Sequence, residues 1–494
     1  MAVKVGLRCL LIFLLFATPV SGQGGTELER SVAAIVSGSR SATANAADRE
    51  TVVGKNAIPM NTAKLIELVK KNNASVLSSR LLALKSEKEG NADFSKFLPT
   101  VTLSAGYEKV FGRYIYSESP NKKVGIDDKD KNTSSDTFSA NLMANYNVFN
   151  SGRDLFSHNF HKHKVEAAKY EEYHKIEEAV VSALTLYFHI LLLEAQRKAQ
   201  LDDQNAKGEI RLMAETKEKL GSLSPDDKLK VDSNYLNAKI STATIDKLIR
   251  EKRIELNLHH LGLGPDQDLV LDRPEANEQN IGKIDIDRQI ENALGSDVQL
   301  KKLEETKKQL EESLKLAKLS MAPLITVNMS AGIDGNDSKI TNMSHENNGQ
   351  HKNVSATANM NARLDFPIFA GFGNLNNLRA VRKDLENCDV LIEERKRTIR
   401  GSVIDIVNNI SYHSEIIPSR ERNLGLQKKI FRGALNSYRN GGYAMTDVLQ
   451  EKSKLEKAES DLLTEKYNLL ISRLELLKLT GRLTVENVIN LGGF

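Results

Sequence analysis

Four stretches of the chain alternate apolar and polar residues, and the long stretches between them repeat apolar residues at steps of three and four. In the second alternating stretch, Phe138, Ala140, Leu142, Ala144, Tyr146 and Val148 interleave with Thr137, Ser139, Asn141, Met143, Asn145 and Asn147. In the fourth, Val354, Ala356, Ala358, Met360, Ala362, Leu364 and Phe366 interleave with Ser355, Thr357, Asn359, Asn361, Arg363 and Asp365. The first (Val101, Leu103, Ala105, Tyr107) and third (Ile325, Val327, Met329, Ala331, Ile333) are shorter versions. A period of two predicts strands with every apolar side chain on one face. The strands at 136–149 and 354–369 exceed the ~9–11 residues that a tilted strand needs to cross a bilayer. Their polar faces of Asn, Ser and Thr suit a wet lumen. The intervening loops, 112–135 and 335–353, carry charged runs such as Asp127-Asp128-Lys129-Asp130-Lys131 that belong in water.

The helical spacing predicts a first helix from about Thr62 to Phe94, then two very long ones. No proline falls between Leu155 and Lys219, and only Pro418 lies between Asn374 and Tyr438. Each would reach roughly 100 Å at 1.5 Å per residue. In the second, Leu378, Val381, Leu385, Cys388 and Ile392 form a coiled-coil seam, continued by Ile399, Val403, Ile406 and Ile410. Returning helices over about 226–261 and 446–480 carry two apolar seams each, as a helix packed between two neighbours in a tube wall would. Residues 262–297 read as a connector.

The same phrase is written twice. Tyr146–Gly152 aligns with Phe366–Phe372 at an offset of 220, which also carries Gly221 onto Gly441 and Asp227 onto Asp447. Pro99-Thr100-Val101-Thr102-Leu103 pairs with Pro323-Leu324-Ile325-Thr326-Val327 at an offset of 224. So long a period means a duplicated half-molecule, with a first repeat over 58–261, a second over 298–481 and a tail over 482–494. Four strands cannot close a barrel, for which about eight is the practical minimum, and open sheet edges cannot sit in lipid. The missing strands must come from other copies. Two would supply eight strands and three would supply twelve.

Composition adds an address. Of 494 residues only 5% are aromatic and none is tryptophan, which suits aliphatic helix seams better than one large globular core. Net charge is +4 with both signs interspersed, so no nucleic-acid stripe is present. Lys4 and Arg8 precede the apolar run Cys9–Phe16, and Val20-Ser21-Gly22 offers a cleavage site, so residues 1–22 read as a secretory signal. Residues 23–57 are Ser-, Ala-, Gly- and Thr-rich and read as disordered. Cleavage would leave Cys388 alone, without an intrachain disulfide.

With duplicated hairpins feeding long helices, the chain resembles the TolC-type outer-membrane channel (outer membrane efflux protein) family over about residues 60–482. The most specific residues are Pro367-Ile368-Phe369-Ala370-Gly371 at a strand-to-helix transition, matched in the first copy by Gly152. Next come the tip Tyr438-Arg439-Asn440-Gly441-Gly442-Tyr443-Ala444-Met445-Thr446-Asp447-Val448-Leu449 and the closing Leu479-Thr480-Gly481. The resemblance implies a mixed α/β membrane channel. This would be a homotrimer with a twelve-strand antiparallel barrel in the outer membrane of a Gram-negative bacterium, four strands from each copy. The barrel would continue as an α-helical coiled-coil tunnel through the periplasm.

Such a duct catalyses nothing and uses no cofactor. It receives substrates from an inner-membrane pump of the ABC or RND type through a periplasmic adaptor, in efflux or type I secretion. The tips at Gly221, Ser222, Gly441 and Gly442 would meet the adaptor. The aperture would be formed by Tyr438, Asp447 and Asp227, with Tyr443 where the family has an arginine and Gln450 where it has a second ring acid. Hydrogen bonds from Tyr438 or Tyr443 to Asp227 would then stand in for an arginine–carboxylate lock. Three copies of Asp447 would make a cation-favouring ring, although the same residue also suits a helix cap.

His158, His161 and His163 lack a carboxylate or cysteine at metal-ligand spacing and read as solvated. No phosphate loop, zinc spacing or nucleophile elbow appears in the chain. From another class, the alternative is an exported coiled-coil scaffold or adhesin carrying a soluble sheet.

Overall fold

The computed structural model describes residues 58–115, 131–221, 223–272, 284–342, 349–369, 371–440 and 442–489. The signal and low-complexity segments before residue 58, Ser222, Gly441, the charged run at 127–130 and the terminal Leu491–Phe494 lie outside them.

The chain opens with β1 (Ile58–Met60), α1 (Thr62–Asn72), α2 (Ala74–Asp93) and a 3₁₀ turn at Phe94–Phe97. β2 (Thr100–Ile115) and β3 (Lys131–Phe149) then feed α3 (Arg153–Lys219), which returns through α4 (Pro225–Glu255) and a π turn at Leu256–Leu261. β4 (Leu269–Leu271), α5 (Ile286–Ser296) and α6 (Val298–Leu319) lead to β5 (Leu324–Asn342) and β6 (Gly349–Asp365). α7 (Gly373–Arg439), α8 (Met445–Leu479) and a short α9 (Val485–Ile489) complete it. The order hairpin, long helix, return helix occurs twice.

α3 and α7 are 67 residues each, so each extends ~100 Å. Pro418 sits inside α7 without ending it. Three differences from the pattern reading have clear causes. The first helix breaks at Asn73, whose side chain accepts from Ser75 N (3.0 Å) and Val76 N (3.3 Å) and caps α2. The strands run well into the expected loops, because ladder pairing continues where both faces are polar and alternation disappears. The connector contributes β4, which pairs in parallel with β1, Ile58 opposite Leu269 and Met60 opposite Leu271.

That two-stranded patch anchors the largest core. Tyr187 and Phe188 of α3 are fully buried there with Met60, Leu65, Leu184, Ile190, Leu256, Leu261 and Leu269. The Tyr187 hydroxyl donates to the Asp272 carbonyl, satisfying a polar group that would otherwise be costly at this depth. The most apolar stretch of α3 is therefore core. A second core joins α5 and α6 to α7 around Ile399, Val403 and Cys388. It is pinned by Arg395, which donates to both oxygens of buried Asp297 at 3.1 and 2.6 Å.

The closing turn at Gly481 is built on a left-handed residue (φ +66°), and a Cβ there would lie 2.5 Å from Ser296 Cβ. Gly481→Ala is expected to lower stability by more than the ~1 kcal/mol that positive φ alone costs, read as a fall in the midpoint of thermal unfolding.

Candidate functional site

The four long strands form one antiparallel sheet in the order β2-β3-β5-β6. Its register places the predicted apolar residues on a single face, except Val148, which falls at a bulge, and Phe366, which lies beyond the ladder. Leu103, Leu142, Ala331 and Ala358 form one cross-strand row, and Val101, Ala144, Met329 and Met360 another. Those side chains have no cover: Leu103 is 71% exposed and Met360 70%. The opposite face carries Asn141, Asn145, Asn328, Asn359 and Asn361, with Asn328 Nδ2 donating to Asn361 Oδ1 at 3.0 Å.

At the loop end the apolar face stops abruptly. Lys109 is opposite Asp136, Asp136 opposite Asp337, and Asp337 opposite Lys352, a charged row across all four strands. Lys109 lies 3.3 Å from Asp136 and Lys352 3.4 Å from Asp337. From Phe138 to Val148 the apolar stretch is ~33 Å along the strand, or ~25 Å in height once tilted by about 40°. Exposed aromatics mark both ends, Tyr107, Phe111 and Phe138 near the charged row and Phe149, Phe366, Phe369 and Phe372 near the helices. The outer edges of β2 and β6 have no partner strand among the described residues.

The strand-to-helix turns are built alike in the two copies, on consecutive left-handed residues. These are Ser151 (φ 57°) with Gly152 (φ 82°), and Gly371 (φ 59°) with Phe372 (φ 62°). Structurally Gly371 thus matches Ser151, and Gly152 matches Phe372, as the offset of 220 itself indicates. Pro367 follows the last ladder pair of β6, at Asp365, consistent with its missing donor. Ser151 and Arg153 clamp the first turn to the second repeat, a role that the sequence pattern does not mark. Ser151 Oγ donates to the Pro323 carbonyl (2.7 Å), and Arg153 donates to the carbonyls of Leu319 (2.8 Å) and Ala322 (2.6 Å).

At the far end the two helical hairpins meet in a small core of Ile210, Ala214, Val231, Ala434, Tyr438, Val448 and Leu449. Gly221 takes φ +69° at the first tip, and Gly442 N donates to the Ser437 carbonyl at the second. Asp227 and Asp447 occupy the same place in α4 and α8. Asp447 accepts from Ala444 N (3.1 Å), and Asp227 from the Ser224 hydroxyl (3.0 Å) and Lys230 (3.1 Å). Lys230, with Ser224, holds the Asp227 carboxyl below the usual range.

Within a single copy the expected Tyr438–Asp227 bond is not made. Tyr438 is buried (7% exposed), and its hydroxyl has no partner among the described residues. Instead Lys217 of α3 places its ammonium 4.0 Å from the centre of the Tyr438 ring. Tyr443 and Gln450 are exposed. No sequence signal pairs Lys217 with a ring more than 200 residues away.

The histidines are half-buried structural groups. His163 is 2.7 Å from Glu305, and His161 is 3.6 Å from buried Asp93.

Residues 289–482 match the outer membrane efflux protein family. No curated protein shows a significant sequence match to the chain. By structure, the chain is similar to the CmeC outer membrane channel of Campylobacter jejuni, with a TM-score of 0.71 and 14% identity over 88% of this chain and 90% of that one. The outer membrane protein VceC of Vibrio cholerae gives a TM-score of 0.67 and 13% identity, covering 85% and 96%. The open state of the Neisseria gonorrhoeae MtrE outer membrane channel gives 0.64 and 14%, covering 89% and 95%.

Proposed function

We propose that this chain, whose second half belongs to the outer membrane efflux protein family, works as a homotrimeric exit duct in the outer membrane of a Gram-negative bacterium. Three four-strand sheets join edge to edge, β6 of one copy beside β2 of the next, into a twelve-strand barrel. The observation that carries this reading is the sheet itself. It has an uncovered apolar band of bilayer height, ended by a charged row and aromatics, and two edges that lipid cannot satisfy.

The helices support the same closure. α3 packs on α4 and α8, and α8 on α7, so the wall runs α4-α3-α8-α7 and its outer members are α4 and α7. Both carry exposed apolar residues, Leu229, Leu236 and Ile240 on α4 and Leu426 and Ile430 on α7. Setting α7 of one copy against α4 of the next buries these stripes and continues the barrel as a periplasmic tunnel. Asp447 and Asp227 then ring its narrow end, with Tyr438, Tyr443 and Gln450 beside them. The tips at Gly221, Ser222, Gly441 and Gly442 dock a periplasmic adaptor.

The duct is passive. An inner-membrane pump, of the ABC or RND type, supplies the energy for efflux or type I secretion. The decisive experiment is the oligomer mass in detergent together with conductance in a planar bilayer. A trimer with stable single-channel steps is expected. A water-soluble monomer released from membranes by carbonate would overturn the reading.

A further inference from the structure

Roughly 20 Å above the tips, the contact between the two hairpins encloses four charged side chains. Asp203 and Lys207 come from α3, Lys452 and Glu456 from α8. The Asp203 side chain is 0% exposed, Lys207 13% and Lys452 10%. Lys207 Nζ lies 2.8 Å from Asp203 and 3.5 Å from Glu456, and Lys452 Nζ 3.9 Å from Asp203. Both Asp203 oxygens and one Glu456 oxygen are buried without a well-formed hydrogen bond. α7 supplies the Phe431 ring under Lys452, 5.5 Å away. The next ion pair on that side, Lys428–Glu459, is partly exposed. A cavity of about 100 Å³ opens onto Glu456, lined also by Gln196, Gln200 and Ser460.

Charges so deep are costly unless fully paired, and a second carboxylate beside the first makes full ionisation harder. Burial, reinforced by the neighbouring Asp203, pushes Glu456 up to about 8 against the pull of Lys207 and Lys452. The carboxylate pair therefore holds a proton at neutral pH. The contact carrying it is also the weaker one: α3 meets α8 less extensively than α3 meets α4 or α7 meets α8. A movement of one hairpin against the other within a copy passes through this seam.

We propose that Asp203, Lys207, Lys452 and Glu456 form a proton-holding clasp between the two hairpins, a second gating element inside the wall, distinct from the aperture residues. With the proton in place, α8 is held against α3. When it leaves to water in the adjoining cavity, Glu456 must carry its charge in the buried seam beside Asp203, a burial cost that Lys207 and Lys452 only partly offset, and α8 is released. An exposed glutamate titrates near 4.5, so between that value and about 8 the closed form holds a proton that the open form does not. The closed-to-open ratio then falls as pH rises, by up to ~10-fold per unit, and levels off above about 8.

The inference rests on the duct reading, and its test separates the two. Open probability of the full-length protein in planar bilayers is measured at pH 5.5, 7 and 8.5 for the wild type, Glu456→Gln and Asp203→Asn. Rising open probability with pH is expected for the wild type. A flat, low response is expected for Glu456→Gln, whose amide keeps the neutral form, and a weakened pH response for Asp203→Asn. Normal trimers and channels with the same pH response in wild type and Glu456→Gln, or no response in the wild type, would overturn the clasp and leave the duct intact. Absence of trimers and channels in the wild type would overturn the duct reading itself. Trimer mass measured for each variant shows whether a silent variant has merely failed to assemble.

Discussion

Ala358→Arg should abolish trimer assembly, whereas Asn359→Arg, one residue along, should leave it intact. The two positions are adjacent on β6, are both exposed in the single chain, and point to opposite faces. Ala358 shares its row with Ala331, Leu142 and Leu103 in the middle of the apolar band. An arginine near the bilayer midplane of a barrel costs ~2–4 kcal/mol, and three copies place three such charges in one ring. Asn359 lies beside Asn361 and Asn328 on the polar face, where a guanidinium stays hydrated and alters conductance instead. The measurement is trimer yield after folding into detergent or vesicles. Equal yields for the two variants would show that neither face meets lipid.

The contrast between those neighbours was legible in the pattern alone, because a strand buried on one side must alternate. Where a face stops being one-sided, the signal stops too. Residues 131–135 and 349–353 carry only polar residues and glycine, so their sequence suggests loop, yet the ladder continues through Lys131 and Gly349. The long helices were legible from their seams and from an absence of breakers. The break at Asn73 in the first helix was not, since one asparagine in an apolar repeat is compatible with either a cap or a solvated position.

Contacts between distant segments left no trace at all. Three residues of β1 pairing with three of β4 carry too little pattern to identify, and they meet across more than 200 residues. The charged groups were the most misleading. Lysine and aspartate on a helix are usually solvated, so Asp203 and Glu456 gave no hint of burial. Their seam exists only once α3 and α8 are set side by side. Duplication brings Asp227 and Asp447 to equivalent places and the family resemblance marks Tyr438, but neither says anything of the lysine that reaches its ring.

Tyr438 provides the other large effect. If its hydroxyl locked the tip, Tyr438→Phe would open the duct as effectively as Tyr438→Ala. The structure makes the opposite expectation. The hydroxyl is buried without a partner among the described residues, and removing an unpaired buried polar group is neutral or stabilising. The ring is what holds. It fills the small core shared by Ile210, Ala214, Val448 and Leu449 and lies under the Lys217 ammonium.

Losing a buried aromatic to alanine costs ~3–5 kcal/mol in a core that cannot collapse, and a partly desolvated cation–π contact adds ~0.5–2 kcal/mol. Even ~2 kcal/mol of that spent on the closed form shifts the closed-to-open ratio by about 30-fold. Tyr438→Ala should therefore raise open probability strongly, Lys217→Met should raise it by a smaller factor, and Tyr438→Phe should leave it near the wild-type value. Single-channel recording of the three variants orders them directly. A Tyr438→Phe channel as open as Tyr438→Ala would mean that the hydroxyl finds its partner on a neighbouring copy, and that the lock lies between subunits, not within one.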